Sequence, residues 1–167
     1  LVELIKELEY SGYQFEAATA SLELLALKHL HKFKAFFEVT DFKVIGERTE
    51  EGAPNRDYAM IKIKVGDRFE ITADEGDGPV HALDIALRKA VGMFYPSIET
   101  IRLIDYKVRV IEPRDATAAQ VRVFIETTDG DNTWTTVAVS SDVINASLNA
   151  LVDYVEYKLL MDSGKSK

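Results

Sequence analysis

Tyr58-Ala59-Met60-Ile61-Lys62-Ile63-Lys64-Val65-Gly66-Asp67-Arg68-Phe69-Glu70-Ile71-Thr72-Ala73 is the stretch that decides the fold. Apolar side chains alternate with lysines through Tyr58 to Val65, the period of a strand with one buried face. Gly66-Asp67 is hairpin-turn chemistry, and Phe69 to Ala73 makes the returning strand. Upstream, Phe37, Val39 and the Phe42/Val44 pair keep the same period and predict a first strand. The segment from Glu50 to Arg56, rich in Gly, Pro and Asn, is a loop. Downstream, after Gly76-Asp77-Gly78-Pro79, the period lengthens. Leu83, Leu87 and Val91 recur at helical spacing and predict a helix from Val80 to about Phe94. Pro79 suits a first helical position, where its missing N–H costs nothing, and Pro96 prevents continuation. The unit is β-β-β-α.

The plan then recurs. Ile101 to Ile111, Val121 to Thr127 and Thr133 to Val139 read as strands, with Asp129-Gly130-Asp131-Asn132 as a turn. Ser140-Ser141-Asp142 offers cap oxygens to a helix from Val143 to about Leu160. Asp41-Phe42-Lys43-Val44 matches Asp105-Tyr106-Lys107-Val108. Val80, Ala82, Ala86, Leu87 and Val91 match Ile144, Ala146, Ala150, Leu151 and Val155. Both sets share an offset of about 64 residues, which a chance likeness would not keep. The fold class that follows is α+β: duplicated β-β-β-α units packed about a pseudo-two-fold axis, preceded by short linker helices. The expected domains are a helical linker over 1–33, a duplicated domain over 34–162 and a tail over 163–167. Repeat one spans about 36–95 and repeat two about 100–160.

In the linker, Leu1, Leu4, Ile5 and Leu8 form one helical stripe, and Phe15, Leu22, Leu25 and Leu27 a second. Gly12 breaks the two. Helices this short make no core alone, so the linker is expected to pack on something else. Each three-stranded unit is itself too small to bury its apolar face, and pairing with a second copy would cover the remaining edges. The expected partner is therefore another copy of this chain. A net charge of -8 with no basic run before Lys165-Ser166-Lys167 disfavours a phosphate-tracking, nucleic-acid role. No cysteine is present, so disulfides and thiolate metal sites are excluded, which fits a reducing cytoplasm. No apolar run approaches the ~20 residues of a membrane span. Leu1-Val2-Glu3-Leu4 lacks an initiator Met and a basic leader, so the chain reads as cut from something longer.

The Gly76-Asp77-Gly78-Pro79 loop admits two readings. Two glycines and a helix start form a wall against which a carboxylate can sit, or the segment is strand-to-helix punctuation. Asp77 receives a ligand ammonium on the first reading and caps the helix on the second. His29 and His31 fit favourable contact with a helix C-terminus better than a metal. His81 is by default a surface residue, and Phe42 and Tyr106 are core aromatics. The clusters Asp74, Glu75, Asp77 and Asp129, Asp131 lack the regular oxygen spacing of a calcium loop and read as solvated turns. There is no Ser/His/Asp arrangement, phosphate loop or metal triad, so no catalytic constellation.

Gly12-Tyr13-Gln14-Phe15-Glu16-Ala17-Ala18, followed by Ala20-Ser21-Leu22-Glu23-Leu24-Leu25, resembles the linker segment of citramalate synthases. Gly76-Asp77-Gly78-Pro79-Val80, Asp105-Tyr106-Lys107-Val108 and Val137 to Leu160 resemble the C-terminal allosteric dimerisation domain that these enzymes share with 2-isopropylmalate synthases. The likeness covers nearly the whole chain. It implies a parent that condenses acetyl-CoA with a 2-oxo acid, pyruvate in the citramalate branch, in a metal-dependent barrel preceding this segment. The segment itself would then be inactive and need no cofactor. It would form a homodimer and bind an end-product amino acid between its two units. Isoleucine is the effector expected in the citramalate branch and leucine in the isopropylmalate branch. The effector residues carried over are Gly76, Asp77, Gly78, Val80, His81, Leu103, Asp105, Tyr106, Thr136 and Ala138. Ala138 stands where the family usually has glycine, and its methyl group narrows the pocket. A dimerisation module without a ligand and a free-standing enzyme are the competing readings.

Overall fold

The computed structural model describes residues 1–47, 51–54, 56–112 and 119–165. Its elements run in the order expected. Helix α1 (Val2–Tyr10), a 3₁₀ turn (Phe15–Ala17) and α2 (Thr19–His29) precede strands β1 (Glu38–Glu47), β2 (Arg56–Val65) and β3 (Arg68–Gly76) and helix α3 (Pro79–Gly92). After a second 3₁₀ turn (Pro96–Thr100) come β4 (Arg102–Ile111), β5 (Gln120–Thr128), β6 (Thr133–Ser140) and α4 (Val143–Lys165). The architecture is α+β, with two antiparallel three-stranded sheets ordered β1-β2-β3 and β4-β5-β6. Two compact units result: Ala35–Glu99, and Leu1–Lys34 together with Thr100–Lys167. Of the loop expected over Glu50 to Arg56, Glu50 and Asn55 lie outside the described residues. Arg56 already belongs to β2.

In the first unit the alternation of β2 is translated directly into burial. Ala59, Ile61 and Ile63 are buried beneath α3, whose Leu83, Leu87 and Val91 have no exposure left. Each of the isoleucine, leucine and valine side chains contributes about 1.5–3 kcal/mol of hydrophobic stabilisation. Thr72 on β3 spends its buried hydroxyl on the Ala86 carbonyl of α3, at 2.7 Å. The second unit repeats this with Val123, Ile125, Ala146, Ala150, Leu151 and Val155 in its core. Thr136 donates to the Ala150 carbonyl at 2.9 Å, the same bond 64 positions on. Both first strands break register at equivalent places, between Val39 and Asp41 and between Leu103 and Asp105. The duplication thus extends to backbone irregularities and side-chain bonds.

The copies also differ. Gly92 and Pro96 end α3 early, whereas α4 continues to Lys165, past the expected Leu160. Its last turns explain why Asp129 is not the solvated turn residue anticipated. Lys158 reaches the Asp129 carboxylate at 2.8 Å with both side chains more than nine-tenths buried. Burial alone would raise Asp129, but Lys158 and the Asn132 and Asp131 N–H groups hold it well below the usual carboxylate range. The first unit carries Val65 and Phe94 64 positions earlier, so this ion pair has no counterpart there.

The linker packs on the second unit. Gly12, with φ +115°, ends α1: the Tyr13 N–H bonds Leu8 and the Gly12 N–H bonds Glu9, a Schellman closure. His31 at φ 54° ends α2 in the same way, with Lys32 bonded to Leu27 and His31 to Lys28. Phe15, Ala18 and Val137 then form a small core against which Ile5, Leu8, Tyr13, Leu22, Leu25 and Phe124 pack.

Candidate functional site

The start of α3 is built from β3's last residue, Gly76, and the two-residue link Asp77-Gly78. Gly76 is sterically required, because an added Cβ would lie 2.5 Å from the Ala82 backbone nitrogen. Gly78 is different: its backbone is extended (φ -166°) and a Cβ there meets nothing within 4 Å. Gly78, not Asp77, is the N-cap, and no side chain caps the helix. The capping role considered for Asp77 is therefore not taken. Its carboxylate is fully exposed, and its N–H donates to His81 Nδ1 at 3.1 Å. His81 is exposed, the surface residue expected, and its ring folds back over the loop.

The equivalent position in the second unit is Asp142, 64 residues on, and there the cap is complete. Asp142 Oδ1 accepts the Asn145 N–H at 2.8 Å, while its carbonyl accepts the Ala146 N–H at 3.0 Å. The Gly78 carbonyl makes the matching bond to Ala82, also at 3.0 Å. The two helix starts differ by one carboxylate. Where α4 neutralises its own positive end, α3 keeps the N–H groups of Val80 and His81 free of any side-chain cap.

In the second unit, sheet register sorts the remaining candidates. Tyr106, Ile125 and Thr136 share one rung, and Val108, Val123 and Ala138 the next, all on the α4 face. Leu103 opposes the buried Thr127 on that face. Thr136 and Ala138 are buried by α4 itself. Tyr106 is half-buried, with its hydroxyl 2.8 Å from Ser147. Ser147 gives its own proton to the Val143 carbonyl at 2.6 Å, so Tyr106 is the donor of this pair. Burial raises the Tyr106 phenol above its ordinary range, opposed by the Ser147 contact, and keeps it protonated. Asp105 is not with them. It lies on the opposite face, 3.2 Å from Lys107. There Asp105, Lys107, Arg109 and Phe124 join Gln14 and Ala17 of the linker around a cleft of about 300 Å³.

The structure thus groups Gly76, Asp77, Gly78, Val80 and His81 at one helix start in the first unit. It groups Leu103, Tyr106, Thr136 and Ala138 on one sheet face in the second. Sequence reasoning missed Ser147, whose hydroxyl orients Tyr106, although Ser147 sits in the first turns of a predicted helix. It also missed the linker-side cleft, because strand alternation past a bulge sends Asp105 away from its neighbour. Among the described residues no group of three or more His, Asp or Glu is placed to hold a metal ion. No described helix is long and apolar enough to cross a membrane.

Residues 16–159 match the family model of the LeuA allosteric (dimerisation) domain. The chain is 49% identical over 159 residues to (R)-citramalate synthase of Geobacter sulfurreducens, covering 95% of this chain and 30% of the relative. It is 48% identical to (R)-citramalate synthase of Aquifex aeolicus, over 97% of this chain and 31% of that protein. A 2-isopropylmalate synthase of Halothermothrix orenii is 30% identical over 80% of this chain, matching 24% of its own length. The chain therefore spans about three tenths of the curated citramalate synthases it matches. With a matching model over most of its length and its two β-β-β-α units in place, the chain belongs to the LeuA allosteric (dimerisation) domain family.

Proposed function

We propose that this domain is the regulatory end of a cytoplasmic citramalate synthase, binding isoleucine as feedback inhibitor and joining two subunits. In this reading the parent condenses acetyl-CoA with pyruvate in a metal-dependent barrel. The domain itself carries neither the chemistry nor a cofactor. The observation that carries the reading is the uncapped start of α3. Two copies of one unit share a backbone, yet only the first leaves its helix N-terminus without a carboxylate. A ligand carboxylate supplies what Asp142 supplies in the other copy, with the exposed Asp77 available to an ammonium group. Identity of 49% and 48% to citramalate synthases, against 30% to the isopropylmalate enzyme, favours isoleucine over leucine.

Calorimetry with isoleucine, leucine and valine tests this on the parent chain, on Gly78→Leu and on Lys6→Ala. Gly78→Leu should keep the fold, since an added Cβ there meets nothing within 4 Å, while its side chain crowds the free N–H groups. Isoleucine is expected to bind the parent and Lys6→Ala and to lose its heat with Gly78→Leu. At a hundred times its dissociation constant it stabilises the fold by about 2.7 kcal/mol. Leucine binding more tightly moves the parent to the isopropylmalate branch. No heat from any of the three leaves a dimerisation module without a ligand.

A further inference from the structure

The duplication supplies an internal standard for each cross-strand pair, and two pairs of the second sheet depart from it. In the first unit Asp41 stands opposite Lys62 and Ile45 opposite Tyr58, both favourable pairings. The positions 64 residues on are Asp105 opposite Glu126 and Arg109 opposite Arg122. Each of these is a pair of like charges, which destabilises a sheet. All four residues lie on the face turned away from α4. A sheet selected for stability alone would carry the first unit's pairs here.

Three of the four line the linker-side cleft of about 300 Å³, Asp105 and Glu126 towards one end and Arg109 towards the other, with Phe124 between. Asp105 is held by Lys107 at 3.2 Å, and Arg122 donates to the Gly12 carbonyl at 2.8 Å. Two charges are left over. Among the described residues Arg109 and the half-buried Glu126 have no ion-pair partner. The Nε of Arg122 is buried without a hydrogen bond. Burial, then the Arg109 charge, lowers the pKa of the Arg122 guanidinium.

We propose that this cleft is a further binding site, for an extended zwitterion: a linear ω-amino carboxylate whose ammonium meets Glu126 and whose carboxylate meets Arg109, its chain lying over the Phe124 ring. The lining charges set the class. Lys107 and Arg109 are balanced by Asp105 and Glu126, so a ligand without net charge keeps the balance, whereas a dianion such as a phosphate monoester breaks it. The acidic and basic rungs lie about 14 Å apart along the strands, which puts the two ionic groups at opposite ends of the ligand. The methylenes between them gain by leaving water over the aromatic ring. An α-amino acid, with both groups on one carbon, reaches one rung only. The site is therefore separate from the isoleucine reading above and does not rest on it.

Calorimetry of the whole chain with ω-aminohexanoate and ω-aminooctanoate tests the proposal, with hexanoate and hexylamine as controls that carry one charge each. At least one zwitterion should bind saturably, with a dissociation constant of about 1 mM or tighter. Each control should bind about tenfold more weakly or not at all, and Glu126→Gln and Arg109→Gln should each weaken the zwitterion about tenfold. Arg109→Ile, which places the first unit's residue in the second, should abolish binding yet raise the urea midpoint of the unliganded chain. An arginine serving only the fold would not give that split. Saturating isoleucine should not displace the zwitterion. The proposal is overturned if neither zwitterion binds, if a singly charged control binds as well, if Arg109→Ile lowers the midpoint, or if isoleucine competes.

Discussion

At the scale of the residue, two threonines and their misfit neighbour show what the duplication allows and what it strains. Thr72 and Thr136 each give a buried hydroxyl to an α-helical carbonyl, at 2.7 and 2.9 Å. Thr127 is equally buried, yet its Oγ1 has no hydrogen-bond partner, and the first unit carries Ile63 at the matching position. An unpaired buried hydroxyl costs about 1–3 kcal/mol. Thr127→Val should therefore raise stability by roughly 1 kcal/mol, whereas Thr72→Val and Thr136→Val should each lower it by about the same. Urea denaturation of the three variants checks this, and equal losses at all three would show that the Thr127 hydroxyl has a partner after all.

At the scale of the element, the strands and helices were legible because their periods are undiluted. Lys62 and Lys64 alternate with Ile61 and Ile63, and Leu83, Leu87 and Val91 mark one face of α3. What was not legible involves contacts between elements. Asp129 reads as a turn residue until Lys158, 29 positions away, arrives from α4. Asp105 reads as a neighbour of Tyr106 until the sheet puts the two on opposite faces. Gly76 and Gly78 read as one motif in the sequence, but the two glycines do separate work. Gly76 lets α3 fold back against β3, and Gly78 leaves the helix start open. Gly76→Ala should cost about 1–3 kcal/mol, since backbone must move, while Gly78→Ala should cost little. Melting curves of the pair decide between this and a shared role in binding alone.

At the scale of the molecule, each sheet still presents apolar side chains that its own helix does not cover. Ile45, Tyr58, Phe69 and Ile71 are exposed in the first unit, and Ile104, Val108 and Val110 in the second. Such surface, in a family whose description is a dimerisation domain, leads us to expect a homodimer. Light scattering at tens of micromolar should give twice the 18.7 kDa chain mass. A monomer mass would mean that these strands are covered by something other than a second copy.

The seating of α2 has a consequence of another kind. At Val137 the β6 edge is closed by the Ser21 hydroxyl of α2, which accepts the Val137 N–H at 2.9 Å, and not by a further strand, so it is guarded only while the linker stays in place. A molecule whose linker has been clipped or has lifted off offers Val137 and Val139 to any extended segment nearby. It becomes a template for strand addition and, at high concentration, for self-association into aggregates. Release of the linker is thus what exposes the chain to misassembly. That sets an upper bound on how freely the linker can be released.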